Sequence, residues 1–436
     1  MITILPLPLL RFILCALAAC SVAGLSHAQS ETVRIRLLEQ FKPTVVVVKA
    51  IDTPVTVYAG APGMPLGRIS PGQTARFSLT GEQITGSLPT GIITTASLRL
   101  DPGSNGEIEV DVEAEKKLWK PRTYKGTVQI DIDPRYTSRL RLINDVDLEE
   151  YVASVLPREY PFTDLEGAKA MAIVIRTYAL QSGDRYGADY DHTDHIGSQV
   201  YDGSAHVTEL SRQATRLTKG IVLTYRGQLV EATYSAANGG HTASNEDVWN
   251  AAPLPYLRAK ADPYDSSPHH NWTSNVPRMQ LLGVLTSVYG GGKRVVGFTP
   301  GAPGPDGRIR SIHIDIDGGT RRTISSNEFR LLVNRHFGVD SLKSTMFTVR
   351  QNGDTYTFQG SGYGHGVGLS QWGTHEMARR GHSHKDILTF YYTGAELSEY
   401  TPALASRKRN RTDIPVVRTS QEGTADPIDS GKRAGW

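Results

Sequence analysis

The sequence predicts an α+β fold, a β-rich N-terminal region followed by a mixed α+β region, and three observations carry that prediction. Between residues 33 and 132 apolar and polar residues alternate with period two, β-branched side chains dominate, and Gly and Pro recur at short intervals. That is the pattern of short, half-buried strands joined by turns. From residue 147 onward helical periodicity with capping residues is interleaved with further strands, in no regular βαβ succession and with no repeat period.

Taken in chain order, residues 1–28 read as an export signal. Arg11 precedes an apolar run over 12–25, and Ser26-His27-Ala28 places small residues at the two positions a leader peptidase inspects. Leu17-Ala18-Ala19-Cys20 also fits a lipobox, whose processing would leave a lipid anchor on Cys20. A third reading is an uncleaved anchor. Each puts the body of the chain outside the cytoplasmic membrane, in the periplasm or cell envelope. Cys15 and Cys20 both fall in this segment, so a processed chain is expected to hold no disulfide and no Cys-ligated metal.

Residues 31–140 form the β-rich region, with strands expected at 45–48, 55–57, 92–100, 108–110 and 127–132. A helix is expected from Leu148, with Asp147 and Glu150 as a capping box and Leu148, Tyr151, Val152, Val155 and Leu156 as its apolar face. It should stop at Pro157. A second runs from Asp164 to about Ser182, opened by a Thr163/Glu166 box, and others span 207–219, 277–289 and 327–337. Strands are expected at 221–225, 309–316 and 346–350. Past residue 401 the periodicity ends, and 401–436 carries seven Lys or Arg against four Asp or Glu, the composition of a disordered basic tail.

Composition excludes several functions. The formal charge of +3 over 436 residues leaves no electrostatic footprint of a dedicated nucleic-acid binder. Only the N-terminal stretch is apolar enough to consider for a membrane. No G-x-G-x-x-G, G-x-S-x-G or H-E-x-x-H pattern is present, which weakens dinucleotide, serine-hydrolase and zincin readings.

Three segments hold polar chemistry. On the helix from Asp164, Lys169 and Arg176 lie two turns apart on or beside the apolar face, and cations there need partners. Two readings stand: an internal ion pair, or a role in positioning an anionic substrate or a catalytic acid. Glu159, between Pro157 and Pro161 in a short connection, is a candidate general acid/base. In the run 360–368, Gly occupies every other position. If extended, it leaves one face bare and puts Ser361, Tyr363, His365 and Val367 on the other, with His365 either a site residue or a packed imidazole. The loop 235–249, small and polar and ending in Trp249, suits sugar recognition, and turn chemistry explains it equally well. His192 and His195 in Asp191-His-Thr-Asp-His are a weak metal pair.

Several blocks together resemble the stage II sporulation protein D (SpoIID/LytB) family. They are 144–159, ending in Pro157-Arg158-Glu159, and Ala168-Lys169 through Arg176-Thr-Tyr-Ala179. Gly239-Gly-His241-Thr follows with Glu246-Asp-Val-Trp249, then Pro255-Tyr-Leu-Arg258 with Asp262-Pro-Tyr-Asp265, then Gly362-Tyr-Gly-His-Gly-Val-Gly-Leu-Ser-Gln371-Trp-Gly373, and finally 387–397. They fall in family order within 141–400, the expected SpoIID/LytB-like domain. The resemblance implies an exported peptidoglycan lytic transglycosylase that cuts peptide-free glycan strands, with Glu159 catalytic and Lys169 and Arg176 supporting. It nominates His241, Trp249, Tyr363, His365 and Gln371 as substrate-binding or supporting residues. It also implies an alternative, a non-catalytic wall-binding partner of an N-acetylmuramoyl-L-alanine amidase. No cofactor is expected: some members carry a Cys/His zinc site before Gln-Val-Tyr, whereas Ser198-Gln-Val-Tyr201 here has no cysteine near it. Asp247 or Glu246 could supply the second carboxylate that hydrolysis would use.

Overall fold

A computed structural model of the chain describes residues 31–60, 63–114, 120–183, 186–401 and 404. The export signal and the basic tail lie outside the described residues. Those from Thr32 onward belong to one unit, with 26% of the chain in helix and 36% in strand, an α+β fold with a β-rich N-terminus. No helix among the described residues is long and apolar enough to cross a membrane.

The alternating N-terminal residues build two sheets. One runs His192–Thr193, Thr32–Leu37, Leu140–Asp147, Thr127–Ile132, Ser97–Asp101, Val55–Ala59 and Pro65–Ile69; the other runs Arg122–Lys125, Glu107–Glu113, Val45–Ala50, Thr74–Thr80, Gln83–Leu88 and Gly91–Thr95. The period of two sends Val46, Val48, Phe77, Ile108 and Val110 from one sheet, and Val57, Leu98, Leu100, Val128 and Ile130 from the other, into one dry core. Strand Leu140–Asp147 crosses the expected boundary at 140/141. It pairs antiparallel with Thr32–Leu37 and hands the chain to the first helix.

The helices are α1 (Leu148–Glu159), α2 (Leu165–Gln181), α3 (Glu209–Leu217), α4 (Asn245–Trp249), α5 (Arg278–Tyr289), α6 (Ser326–Phe337), α7 (Gln371–Arg379) and α8 (His384–Tyr391). Three local expectations need correction. Helix α1 does not stop at Pro157. That residue forfeits one N–H, but the Tyr160 N–H still reaches the Leu156 carbonyl at 2.8 Å and closes a last turn around Glu159. Neither expected capping box forms. Asp147 accepts from the Glu149 and Glu150 amides while Glu150 pairs with Lys125, and α2 is capped by Asp164, which accepts from Gly167 at 2.9 Å. The glycine-rich run is not extended: Gly362, Gly364, Gly366 and Gly368 have φ of +81°, +107°, +75° and +73°, a left-handed conformation at alternate residues.

Residues 272–360 carry a separate core. Sheets Trp272–Pro277/Thr355–Gly360/Phe347–Asn352 and Val295–Pro300/Ser311–Ile316/Thr320–Ser325 enclose Leu281, Leu285, Phe329, Val333, Ile312, Ile314 and Phe358 with α5 and α6.

Candidate functional site

Glu159 closes α1 and is 8% exposed. Helix α1 is held inward by its buried Tyr151, Val152, Val155 and Leu156, so its last side chain enters the protein rather than solvent. The Val200 amide donates to Glu159 Oε1 at 2.8 Å, and the Gln371 side-chain amide donates to the Glu159 carbonyl. Tyr151 and Tyr234 flank it. Burial pushes both phenols well above their ordinary range, and the nearby Glu159 charge adds to the effect in each. Gln199 ties them together, accepting from Tyr151 Oη and donating to Tyr234 Oη, each at 3.1 Å. A carboxyl group set among protonated phenols in a nearly dry recess has the surroundings of a proton-exchanging group.

The two cations of α2 part company. Arg176 is fully buried and makes a bidentate pair with Glu149 at 2.9 and 2.6 Å, and it also donates to the Ile221 carbonyl at 3.0 Å. This is the internal ion pair. Glu149 lies ten residues before Glu159 on α1, about 15 Å along the helix axis, so Arg176 braces the far end of α1. Lys169 stands one turn into α2, at the Glu159 end, with Nζ 2.6 Å from Glu166. Burial works to raise the Glu166 pKa, but hydrogen bonds from Lys169 and His384 carry it down to about 2.

The glycine run passes beside 233–243 as backbone against backbone. Tyr363 and Ala237 exchange hydrogen bonds at 2.8 and 3.0 Å, Leu369 donates to Thr233 at 3.2 Å, and Ala243 donates to Gly366 at 2.8 Å. A Cβ on Gly368 would fall inside contact distance of the Thr233 carbonyl oxygen, which is what the bare positions are for. The run then forms Leu369–Ser370, parallel to Tyr234–Ser235, and Ser370 caps α7. That register sets Gln371 as the first residue of α7 and delivers its amide to Glu159.

His365 and Trp249 meet with ring centroids 5.0 Å apart. His365 Nδ1 accepts from the Val367 amide at 3.0 Å. Burial, with the Arg330 and Arg308 charges behind it, pushes the imidazole down to about 3 against a hydrogen bond to the Tyr234 backbone, so it is neutral at ordinary pH. Tyr234 thereby links the two groups, main chain to His365 and phenol to the Gln199–Glu159 cluster. Of the residues read from the sequence, Glu159, Gln371, His365 and Trp249 share this seam. His241 and Tyr363 are engaged elsewhere: His241 Nδ1 with its neighbour's carbonyl at 2.9 Å, and the Tyr363 hydroxyl with Asp340 at 2.7 Å. Glu246 is held by Arg258 at 2.7 and 2.5 Å and Asp247 by Arg310 at 2.6 Å.

Sequence reading missed Tyr151, Gln199 and Tyr234 as the surroundings of Glu159. It also missed an aromatic group that follows it directly: Phe162 stacks on His375 at 4.2 Å and meets Tyr160 and Trp372 edge-on, each at 4.9 Å, while His375 Nδ1 lies 2.6 Å from Asp164. The available signal was position, since Phe162 and Trp372 sit three and one residues from Glu159 and Gln371. The residues before Gln199 do not fit a zinc site. His192 Nε2 bonds the Ala179 carbonyl at 2.9 Å, His195 Nδ1 accepts from Gly197 at 3.1 Å, and no thiol is at hand. Among the described residues no cluster of three or more His, Cys, Asp and Glu side chains converges.

Comparison with known proteins bears on this geometry. The model of the stage II sporulation protein family matches residues 136–225, the stretch that carries α1 and Glu159. Stage II sporulation protein D of Bacillus subtilis is 30% identical over 324 residues, covering 68% of this chain and 88% of that protein. The chain belongs to the stage II sporulation protein D family. An uncharacterized protein of Brachyspira hyodysenteriae is 32% identical over 61% of this chain and 70% of its own length. The amidase enhancer of Bacillus subtilis is 29% identical over 56% of this chain and 40% of its own. A second model, a domain of unknown function (DUF8618), matches residues 270–368. In this member of the stage II sporulation protein D family, the unit with its own core is thus a recognised module set between the Glu159 helix and the Gln371 helix.

Proposed function

We propose that this chain is an exported peptidoglycan lytic transglycosylase that cuts peptide-free glycan strands, with Glu159 as its single acid/base. The observation that supports the reading is the placement of Glu159: nearly buried at the end of α1, oriented by Val200 and Gln371, beside protonated Tyr151 and Tyr234. Glu159 protonates the glycosidic oxygen as the C1–O bond breaks. It then takes the proton of the muramoyl C6 hydroxyl as that oxygen bonds to C1, which closes a 1,6-anhydro ring and returns the carboxyl group to its starting state. No water is consumed and no cofactor is called for. The Trp249–His365 pair and the Phe162–Trp372 group offer ring faces for flanking sugars. Export follows the N-terminal signal, with processing at Ala28 or a lipid anchor at Cys20. The amidase enhancer among the relatives favours a second reading, a wall-bound partner of an N-acetylmuramoyl-L-alanine amidase.

The deciding experiment is Glu159→Gln on purified peptide-free glycan. Wild-type protein should release fragments with 1,6-anhydromuramoyl ends, and the variant should be slower by about 10²- to 10⁴-fold with an unchanged melting temperature. Reducing-end products would redirect the chemistry to hydrolysis, and no cleavage by wild-type protein would favour the amidase partner.

A further inference from the structure

The module brings two arginines to His365. Its matched residues, 270–368, hold eleven Lys and Arg against six Asp and Glu, more excess positive charge than the whole chain carries. Arg308 is 2% exposed. One of its nitrogens, Nη2, donates to the Asn238 carbonyl at 2.5 Å and the His241 carbonyl at 3.2 Å, while Nε and Nη1 make no hydrogen bond and Asp306 stands off at 3.8 Å. Arg330, on α6, bonds only the Asn327 side chain of its own helical turn, at 3.2 and 3.1 Å, and has no carboxylate partner among the described residues. Burial keeps the His365 imidazole neutral, and both guanidiniums are close enough for their charges to add to that effect. Burial brings each down to about 10, which leaves them charged at neutral pH. Arg308 is out of water with two nitrogens unsatisfied, although the Asp306 and Asp265 charges face it, and Arg330 is half-buried with a single neutral side chain as acceptor; guanidiniums short of hydrogen-bond acceptors are sites for an anion.

We propose that Arg330 and Arg308, contributed by the inserted module beside His365 and Trp249, form a carboxylate-reading subsite that takes the lactyl carboxylate of a muramoyl residue whose stem peptide is gone. This inference rests on the glycan-cleaving reading and supplies its selectivity. A stem peptide turns that carboxylate into a neutral amide, which removes the charge the guanidiniums bind and adds bulk beside Trp249. A neutral imidazole fits the assignment, since His365 contributes surface for the sugar without competing for the anion.

The test measures binding apart from cleavage. Full-length protein carrying Glu159→Gln is titrated with peptide-free strands and with the same strands after their lactyl carboxylates have been coupled to methylamine. Loss of a charge-assisted hydrogen-bonded pair should weaken binding by about 10- to 100-fold on amidation. Arg330→Gln should weaken binding to the native strands to a similar degree and leave binding to the amidated strands unchanged. Arg330 makes hydrogen bonds only within its own helical turn and has no ion pair among the described residues, so this variant should melt close to its parent, and the strand comparison needs no variant at all. Equal affinity of the parent for both strands, or a variant that still prefers the native strands as its parent does, overturns the subsite. Because wild-type product analysis is read separately, a protein that binds with carboxylate dependence but cleaves nothing keeps the subsite and loses the transglycosylase reading, and the converse result does the reverse.

Discussion

Replacing Arg176 with Ala tests whether the cation on the apolar face of α2 is structural. The side chain is fully buried and gives two charge-assisted hydrogen bonds to Glu149 and one to the Ile221 carbonyl, so it joins α1, α2 and the segment leading from α3. Removing one partner of a buried pair costs about 3–5 kcal/mol, because the other charge is left without compensation. Glu149 is 21% exposed on its side chain and keeps a bond from the Gly220 amide at 3.2 Å. Partial rehydration should therefore hold the loss near the lower end, about 3 kcal/mol. Urea unfolding of the purified chain measures it. Arg176→Met with Glu149→Leu should recover most of the loss, since an apolar replacement of both partners is often neutral. Turnover per folded molecule should stay at the parental level, as Arg176 acts about 15 Å along α1 from Glu159. A variant as stable as its parent would refute the burial argument, and a large fall in turnover with the fold intact would return Arg176 to the site.

Gly368→Ala forces a side chain at φ +73° into the Thr233 carbonyl, and should cost about 2 kcal/mol or more, read as a drop in melting temperature. Gly366→Ala should be milder if the Arg308 guanidinium it meets can shift; equal losses would show that the guanidinium is pinned. Gln371→Ala removes the bond to the Glu159 carbonyl and should lower kcat by about tenfold or more with KM little changed, as expected of a positioning residue; a pure KM effect would place Gln371 on substrate. His365 gives the pH prediction. Its folded pKa, about 3, lies below the ordinary 6.5 or so of an unfolded chain. Between those values the unfolded state binds the extra proton, so stability falls as pH drops through that window, by at most about 1.4 kcal/mol per pH unit for one proton. His365→Gln should flatten that slope in acid unfolding, and an unchanged slope would assign it to another group.

The sequence made legible whatever is local. Periodicity marks α2, α3, α5 and α6 to within a residue or two; Asp164, Thr208 and Ser325 cap α2, α3 and α6 through bonds from amides three residues ahead, and α5 starts after Pro277 with no side-chain cap. Sheet order was not legible: Thr32–Leu37 pairs with Leu140–Asp147 more than a hundred residues on, and no local pattern encodes that register. The alternating glycines were visible, but a bare strand face and a run of left-handed turns share the same spacing. Only the neighbouring backbone at 233–243 distinguishes them. The surroundings of Glu159 were hidden for the same reason, since Gln199, Tyr234 and Gln371 arrive from three separate segments, two of which become adjacent only when Tyr234–Ser235 pairs with Leu369–Ser370.

Contacts of the same long-range kind tie the module with its own core to the loop beside the site. The module leaves and re-enters beside a single loop: its Trp272 indole donates to the Gly362 carbonyl at 3.0 Å, and its Arg308 holds the Asn238 and His241 carbonyls. The glycine run at the end of the module packs on the loop that precedes the module. Arg308 sits at that junction and braces, through the Asn238 and His241 carbonyls, the loop that carries Trp249.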